Sequence, residues 1–244
     1  MDFSKIDAIE EDGIEQLITS IARLRPDTAK FEKFTDILLQ RYWISQEFTH
    51  IYDAGLDRLT PQALDARPTI RRIIREEYPN DQGAWKTPSH REDLMEDMLS
   101  IGIPWQQFTK SRRSRPTAAA ISSARNIIYR SAEQDYADLR ILTFLRFWGE
   151  VLTAIEYEQL FPRIKRHLSG KQSKFYEHHK AHDARIYSLS KLLSCRGAIT
   201  HADKLGRELV ELVDRESSKS SALSAMVKVT KLAIENKLSF YDQF

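Results

Sequence analysis

Cysteine, glycine and proline are scarce in this sequence. Among 244 residues there are one cysteine, eight glycines and eight prolines. With Cys195 alone, a single chain can form neither an internal disulfide nor a four-thiolate zinc or iron–sulfur site, which fits a reducing cytoplasm. Sheet proteins need glycine and proline at their hairpins, so their scarcity favours helices.

An excess of one charge and long apolar runs are also missing. Thirty-seven Lys and Arg nearly balance 35 Asp and Glu, for a formal net charge of +2. Binding to a phosphate backbone usually needs a larger basic excess, so nucleic acid is not an expected partner. The N-terminus, MDFSKIDAIEEDGIEQL, does not resemble a signal peptide, and no later run reaches the length of a membrane span. We expect a soluble, cytoplasmic protein without a membrane partner.

Apolar residues at helical spacing dominate what the chain does contain. Hydrophobic residues make up 41% of the chain, which is typical of a globular protein. Helices are predicted over residues 14–24, 31–56, 89–103, 117–133, 139–168, 175–193, 201–215 and 218–242, with Ser89 as an N-cap. Residues 60–80 are predicted to form a short helix followed by a longer one. The predicted class is all-α, a single-domain helical bundle that spans residues 1–244.

The stretch FYEHHKAHDARIYSL, residues 175–189, has three histidines and an aspartate in a predicted core helix. At about 100° per residue, His179 and His182 share the inward face with Ile186. Asp183 lies at the margin of that face, and Arg185 points outward. Histidine and carboxylate at spacings of three and four residues can chelate one metal ion. Nitrogen and oxygen donors without thiolate suit iron or manganese, and zinc is also compatible.

Other helices must supply further ligands if a metal binds here, as in carboxylate metal sites of helical bundles. The candidates are Glu76, Glu77, His90, Glu156 and Glu158. Glu158 stands four residues before Pro162 in an apolar helix, where a carboxylate needs a partner. Each candidate also has a purely structural interpretation: His90 as part of a helix cap, Glu76 as a surface charge, and His179 bonded to Asp183 alone. Spacing does not choose between these interpretations.

Several segments taken in order resemble one known family. They are IIREEYPN followed by SHREDLMEDMLSIGI, then AIEYEQLFPRI, FYEHHKAHD and the closing KLSFYDQF. Together they resemble the haem-oxygenase-like fold family, which includes thiaminase II, pyrroloquinoline-quinone synthase and the chlamydial protein associating with death domains. The resemblance covers most of the chain. It implies a haem-oxygenase-like helical bundle and a homodimer.

The resemblance is nearest to the haem-oxygenase-like diiron oxidases and oxygenases. Matching their motif implies the metal ligands Glu76, His90, Glu158, His179 and Asp183, with Glu158 bridging. That branch has a further histidine three residues after the aspartate, where this chain has Ile186. His182, on the same predicted face, is the expected substitute. The long loop before His90 leaves the choice between Glu76 and Glu77 open.

The function implied by the resemblance is a metal-dependent oxidoreductase. Two iron ions, or manganese, would activate dioxygen on a small organic substrate, with Glu158 and His179 as the catalytic residues. One alternative is a metal-free oxidase like pyrroloquinoline-quinone synthase, in which histidine and glutamate act as acid–base groups. The other is a non-catalytic protein-interaction module, whose best feature is the basic run KSRRSR at residues 110–115.

Overall fold

All regular structure in the part of the chain that can be described is helical. The computed structural model describes residues 2–26, 28–79, 88–177, 179, 183–195, 197 and 200–244. The helices are α1 (Ser4–Arg23), α2 (Phe31–Arg58), α3 (Ala66–Glu76), α4 (His90–Ser100), α5 (Trp105–Lys110), α6 (Arg115–Ala132), α7 (Ala137–Phe144), α8 (Leu152–His167), α9 (Leu189–Leu192), α10 (His201–Arg215) and α11 (Lys219–Tyr241), with a 3₁₀ turn at Pro61–Ala63. The prediction of an all-α protein is confirmed.

One long helix through the core, made of α7, a π-helical segment and α8, runs without a break. Residues Leu145–Val151 form a π-helix that joins α7 to α8 without a break, and all seven residues are buried. The sequence predicts a single α-helix over residues 139–168. A π turn holds more residues than an α turn, so it changes which side chains face the core, and such turns are frequent at functional sites.

The core is one continuous set of buried apolar side chains. Helix α1 packs along α11, α2 packs along α6, and the π segment lies against α8, α10 and α11. Within the described residues, no helix is both long enough and apolar enough to cross a lipid bilayer.

Two helices begin with a histidine directly after a hydroxyl N-cap. The Ser89 hydroxyl accepts a hydrogen bond from the backbone N–H of Glu92 at 3.2 Å, and the Glu92 carboxylate accepts one from the backbone N–H of Ser89 at 2.7 Å. This is the predicted cap, completed as a capping box. The Thr200 hydroxyl accepts in the same way from a backbone N–H of α10, at 3.1 Å. The caps therefore fix His90 and His201 as the first residues of α4 and α10.

The prediction of one continuous helix over residues 175–193 is wrong. Helical hydrogen bonds run from the His179 N–H to the Phe175 carbonyl at 3.1 Å and from the Asp183 N–H to the His179 carbonyl at 3.0 Å. Residues 184–188 are not helical, and α9 begins only at Leu189. The Asp203 carboxylate accepts from the N–H of residue 186 at 3.2 Å and of residue 187 at 3.1 Å, in place of helical partners.

The break reverses two predicted orientations. Ile186, predicted to face inward, is 52% exposed. Arg185, predicted to point outward, has a side chain only 12% exposed, because it turns towards Glu10 of α1. Helical spacing holds up to Asp183 and fails after it.

Candidate metal centre

A small buried cavity lies among α2, α3, α4, the π segment and the start of α10. Its volume is about 20 Å³, which is room for roughly one or two water molecules or ions. Two groups of three potential ligands line it, Glu77 with His90 and His179, and Glu150 with Asp183 and His201. In each group one ligand atom per residue lies within 4.8 Å of the others.

The first triad contains two histidines in contact. His90 Nδ1 lies 3.3 Å from Glu77 Oε1, and the rings of His90 and His179 have centroids 4.3 Å apart. His179 Nδ1 lies 2.8 Å from the Phe175 carbonyl oxygen. A carbonyl oxygen only accepts, so Nδ1 carries a proton, and Nε2 is the ring atom that can serve as a metal ligand.

The second triad centres on His201. Its Nδ1 lies 3.4 Å from Asp183 Oδ1 and 3.5 Å from Glu150 Oε2, while its Nε2 lies 3.5 Å from Glu76 Oε2. Two atoms bound to one metal ion through bonds of about 2.0–2.2 Å lie roughly 3 Å apart. The observed separations are close to those of a chelating set.

Carboxylates outnumber fixed cations in this cavity. Glu76, Glu77, Glu150 and Asp183 all line it, and Arg91 Nε lies 3.7 Å from Glu77 Oε2. Burial raises the pKa of Asp183 to about 7. Burial alone would lower the pKa of His201, but its hydrogen bonds to Asp183 and Glu150 and their charges raise it to about 10. The excess of buried negative charge thus holds protons, and it favours a divalent cation for the same reason.

The Glu150 carboxylate also has a support on the side away from His201. The buried Tyr52 hydroxyl donates to Glu150 Oε1 and lies 2.8 Å from the Leu145 carbonyl oxygen. Gly149 makes this contact possible, because a Cβ there would lie 2.1 Å from Tyr52 Oη. Outer hydrogen bonds of this kind orient the carboxylate ligands of metal sites.

The structure brings together four of the six predicted metal ligands. His90, His179 and Asp183 line the cavity, and so does Glu76. The open choice between the two neighbouring glutamates has no single answer, because Glu77 contacts His90 while Glu76 reaches His201. His182, the expected substitute for the histidine missing at position 186, lies outside the described residues.

Glu158, predicted as the bridging and catalytic carboxylate, does not lie in the cavity. Its side chain is exposed on α8. In the same continuous helix, the carboxylate that lines the cavity is Glu150. We therefore correct Glu158 to Glu150 in the candidate set. Glu156, the other candidate on α8, is fully buried outside the cavity lining. Its Oε2 lies 3.0 Å from Arg41 Nη2 and 2.6 Å from Lys237 Nζ.

Sequence reasoning missed Glu150 and His201. Glu150 stands in the apolar run LRFWGEV and carries the signal that singled out Glu158, a carboxylate within an apolar helix. His201 carries no such signal, because it is the first residue of a helix and far in sequence from the histidine-rich stretch. Only the fold shows that the start of α10 lies beside Asp183.

The basic run at residues 110–115 has a structural partner. Arg113 and Arg125 both pair with the buried carboxylate of Glu47, and the Arg113 guanidinium lies 5.1 Å from the centre of the Trp43 ring. Part of this run therefore anchors the segment before α6, which weakens the case for a docking surface.

No family model and no curated protein matches this sequence. Solved structures do match. The fold is the all-helical haem-oxygenase-like fold, which the structural neighbours share. A CADD-like protein of unknown function from Nostoc punctiforme superposes with a TM-score of 0.64 at 11% identity, over 98% of this chain and 94% of that one. A TenA family transcription regulator from Silicibacter sp. superposes with a TM-score of 0.58 at 12% identity, over 99% of this chain and 95% of that one. At such low identity the likeness shows the fold alone.

Proposed function

We propose that this protein is a metal-dependent oxidoreductase that activates dioxygen at a two-iron centre. The observation that carries the proposal is the pair of triads, each of nitrogen and oxygen donors, that face one buried cavity. Donor sets of histidine and carboxylate without thiolate suit iron or manganese. Carboxylate-rich sites for two such ions are a known use of the interior of helical bundles.

The ligands fall into two halves. Glu77, His90 and His179 would hold one ion, and Glu150, Asp183 and His201 would hold the other, with Glu76 available beside His201. In this set His201, which comes from another helix, takes the part of the histidine that the resemblance expects at position 186. Bound ferrous ions would supply the electrons for the reduction of dioxygen.

The surrounding residues would hold and shield this centre. Carboxylates offset the charge of the ions, and the Phe175 carbonyl fixes the ring of His179. Apolar side chains on the cavity wall, among them Phe48, Ile73 and Leu94, limit the access of water. The proposed substrate is a small organic acid, amine or amino acid derivative, the class that the family resemblance implies.

The experiment is metal analysis by mass spectrometry on protein loaded anaerobically with ferrous iron. We expect about two iron ions per chain, with the content reduced in His201→Ala and in Glu77→Gln. Glu158→Gln, which changes an exposed carboxylate of the same helical rod, is the matched control and should keep the parent content. Dioxygen uptake by the loaded parent, followed with an oxygen electrode, tests the reaction class.

Two other results would overturn the proposal. If the parent retains no iron and no manganese, the metal-free acid–base enzyme and the interaction module become the better hypotheses. If Glu158→Gln loses iron while His201→Ala retains it, the ligand set is wrong.

A further inference from the structure

A second group of buried charges lies outside the cavity lining, at α1. Glu10 and Arg146 are both fully buried, and Arg146 Nη1 pairs with Glu10 Oε1. The other oxygen of Glu10, Oε2, lies 3.0 Å from Arg185 Nη1. The second amino group of Arg185 pairs with Glu11. Two arginines and two glutamates thus form a group without net charge.

Each arginine of this group belongs to a segment that carries a candidate ligand. Arg146 lies in the π segment four residues before Glu150, and Arg185 follows Asp183 by two residues. Arg146 Nε also donates, at 3.1 Å, to the carbonyl oxygen of the residue that follows His201. One buried carboxylate is therefore linked, through two arginines, to all three segments of the second triad.

The contact between Arg146 and α10 depends on a close approach. A Cβ on Gly206 would lie 2.9 Å from Arg146 Nε and 2.6 Å from Leu192 Cδ1. Removal of one partner from a buried ion pair leaves an uncompensated charge, which the protein relieves by moving or hydrating that group. A shift of Arg146 would carry with it the backbone that positions the second triad.

We infer that Glu10 is a positioning residue for the second half of the metal centre, because it sets the relative places of Glu150, Asp183 and His201. This inference rests on the proposed function. It assigns to Glu10 no contact with the metal or with a substrate. Its consequence is selective, because the first triad is held by other groups: His90 contacts Glu77, Glu77 pairs with Arg91, and the His179 ring contacts the Phe175 carbonyl oxygen.

The test is titration of the metal-free protein with Co²⁺, followed by visible absorption. For the parent we expect about two bound ions per chain. In Glu10→Gln we expect the affinity for one of them to fall roughly 10- to 100-fold while the other is unchanged. The lost spectral component should match the one lost in His201→Ala. Glu15→Gln, an exposed carboxylate of the same helix, is the control and should behave as the parent.

A second variant separates positioning from stability. Glu10→Met combined with Arg146→Met removes a buried pair together, a change that is often neutral for folding, while Arg185 keeps Glu11. We expect this variant to unfold at the same urea concentration as the parent and yet to bind the second cobalt ion weakly. Loss of both ions in proportion to the unfolded fraction would overturn the inference.

The two proposals fail in different ways. A parent that binds no cobalt overturns the proposed function and this inference with it. A parent that binds two ions, with unchanged affinities in Glu10→Gln, overturns the inference alone.

Discussion

The place of Glu150 depends on the residue beside it. A Cβ at Gly149 would overlap the Tyr52 side chain, with distances of 2.1 Å to Oη and 2.8 Å to Cε2. Gly149→Ala must therefore push Tyr52 away from Glu150, and overpacking of this kind costs about 1–3 kcal/mol of stability. We expect a lower denaturation midpoint together with weaker metal binding, measured by urea unfolding and by cobalt titration.

The control for that substitution is Gly197→Ala. Among the described residues no atom lies within 4 Å of a Cβ built at Gly197, so this variant should keep both properties of the parent. Tyr52→Phe removes only the hydroxyl and should weaken metal binding with a smaller loss of stability. Parent-like metal binding in both Gly149→Ala and Tyr52→Phe would show that this support is not needed.

Position 186 distinguishes the structure from the family motif. The resemblance expects a histidine there, but Ile186 is 52% exposed and follows the end of the helix. We therefore expect Ile186→His to leave the iron content of the parent unchanged, and not to restore the iron lost in His201→Ala. Metal analysis of the double variant checks this, and recovery of the second ion would mean that residue 186 does reach the site.

At the scale of the elements, the helix ends after Asp183, and the start of α10, with His201, lies beside this break. Asp203 accepts the N–H groups of Ile186 and Tyr187, so its carboxylate replaces the helical acceptors that these residues lack. Asp203→Ala removes the shared acceptor of these partly buried N–H groups, at a cost of about 0.5–1.5 kcal/mol per hydrogen bond. We expect faster amide hydrogen exchange at both residues, measured by NMR.

A matched substitution exists at the next turn. Asp7 accepts from the N–H groups of Leu189 and Ser190 in the same manner. Asp7→Ala should speed exchange at those two amides and leave Ile186 unchanged. Exchange at Ile186 that does not respond to Asp203→Ala would contradict the assigned role of Asp203.

Most elements follow from local signals in the sequence, and two of the departures, the break after Asp183 and the π turn, lie at the site. Apolar periodicity and the Ser89 cap predict the helices because each depends on residues close in sequence. The break after Asp183 depends on Asp203, which lies twenty residues further along the chain, and the π turn has no distinct local pattern. For this reason the sequence pattern predicts that Ile186 faces inward and singles out Glu158 as a ligand. In the fold, His201 and Glu150 line the cavity instead.

At the scale of the whole molecule, Asp183 and His201 bind protons in the folded protein that they would release in the unfolded chain. The pKa of Asp183 rises from 3.8 to about 7 by burial, and the pKa of His201 rises from 6.5 to about 10, because its acidic partners outweigh burial. In both cases the folded state binds more protons than the unfolded state. The free energy of unfolding contributed by this pair therefore falls as the pH rises from about 4 to about 10.

The metal-free protein should thus lose stability as the pH rises, and bound metal should offset the loss. Lys237 acts in the opposite direction above about pH 8, because burial lowers its pKa to about 8, so the test belongs between about pH 5 and 8. Urea unfolding of the chelator-treated parent and of Asp183→Asn with His201→Gln measures the effect. We expect the free energy of the parent, relative to the variant, to fall across this range. Metal affinity should rise over the same range, since binding displaces the stored protons. A relative stability that increases with pH would mean that the pair does not hold protons in the folded protein.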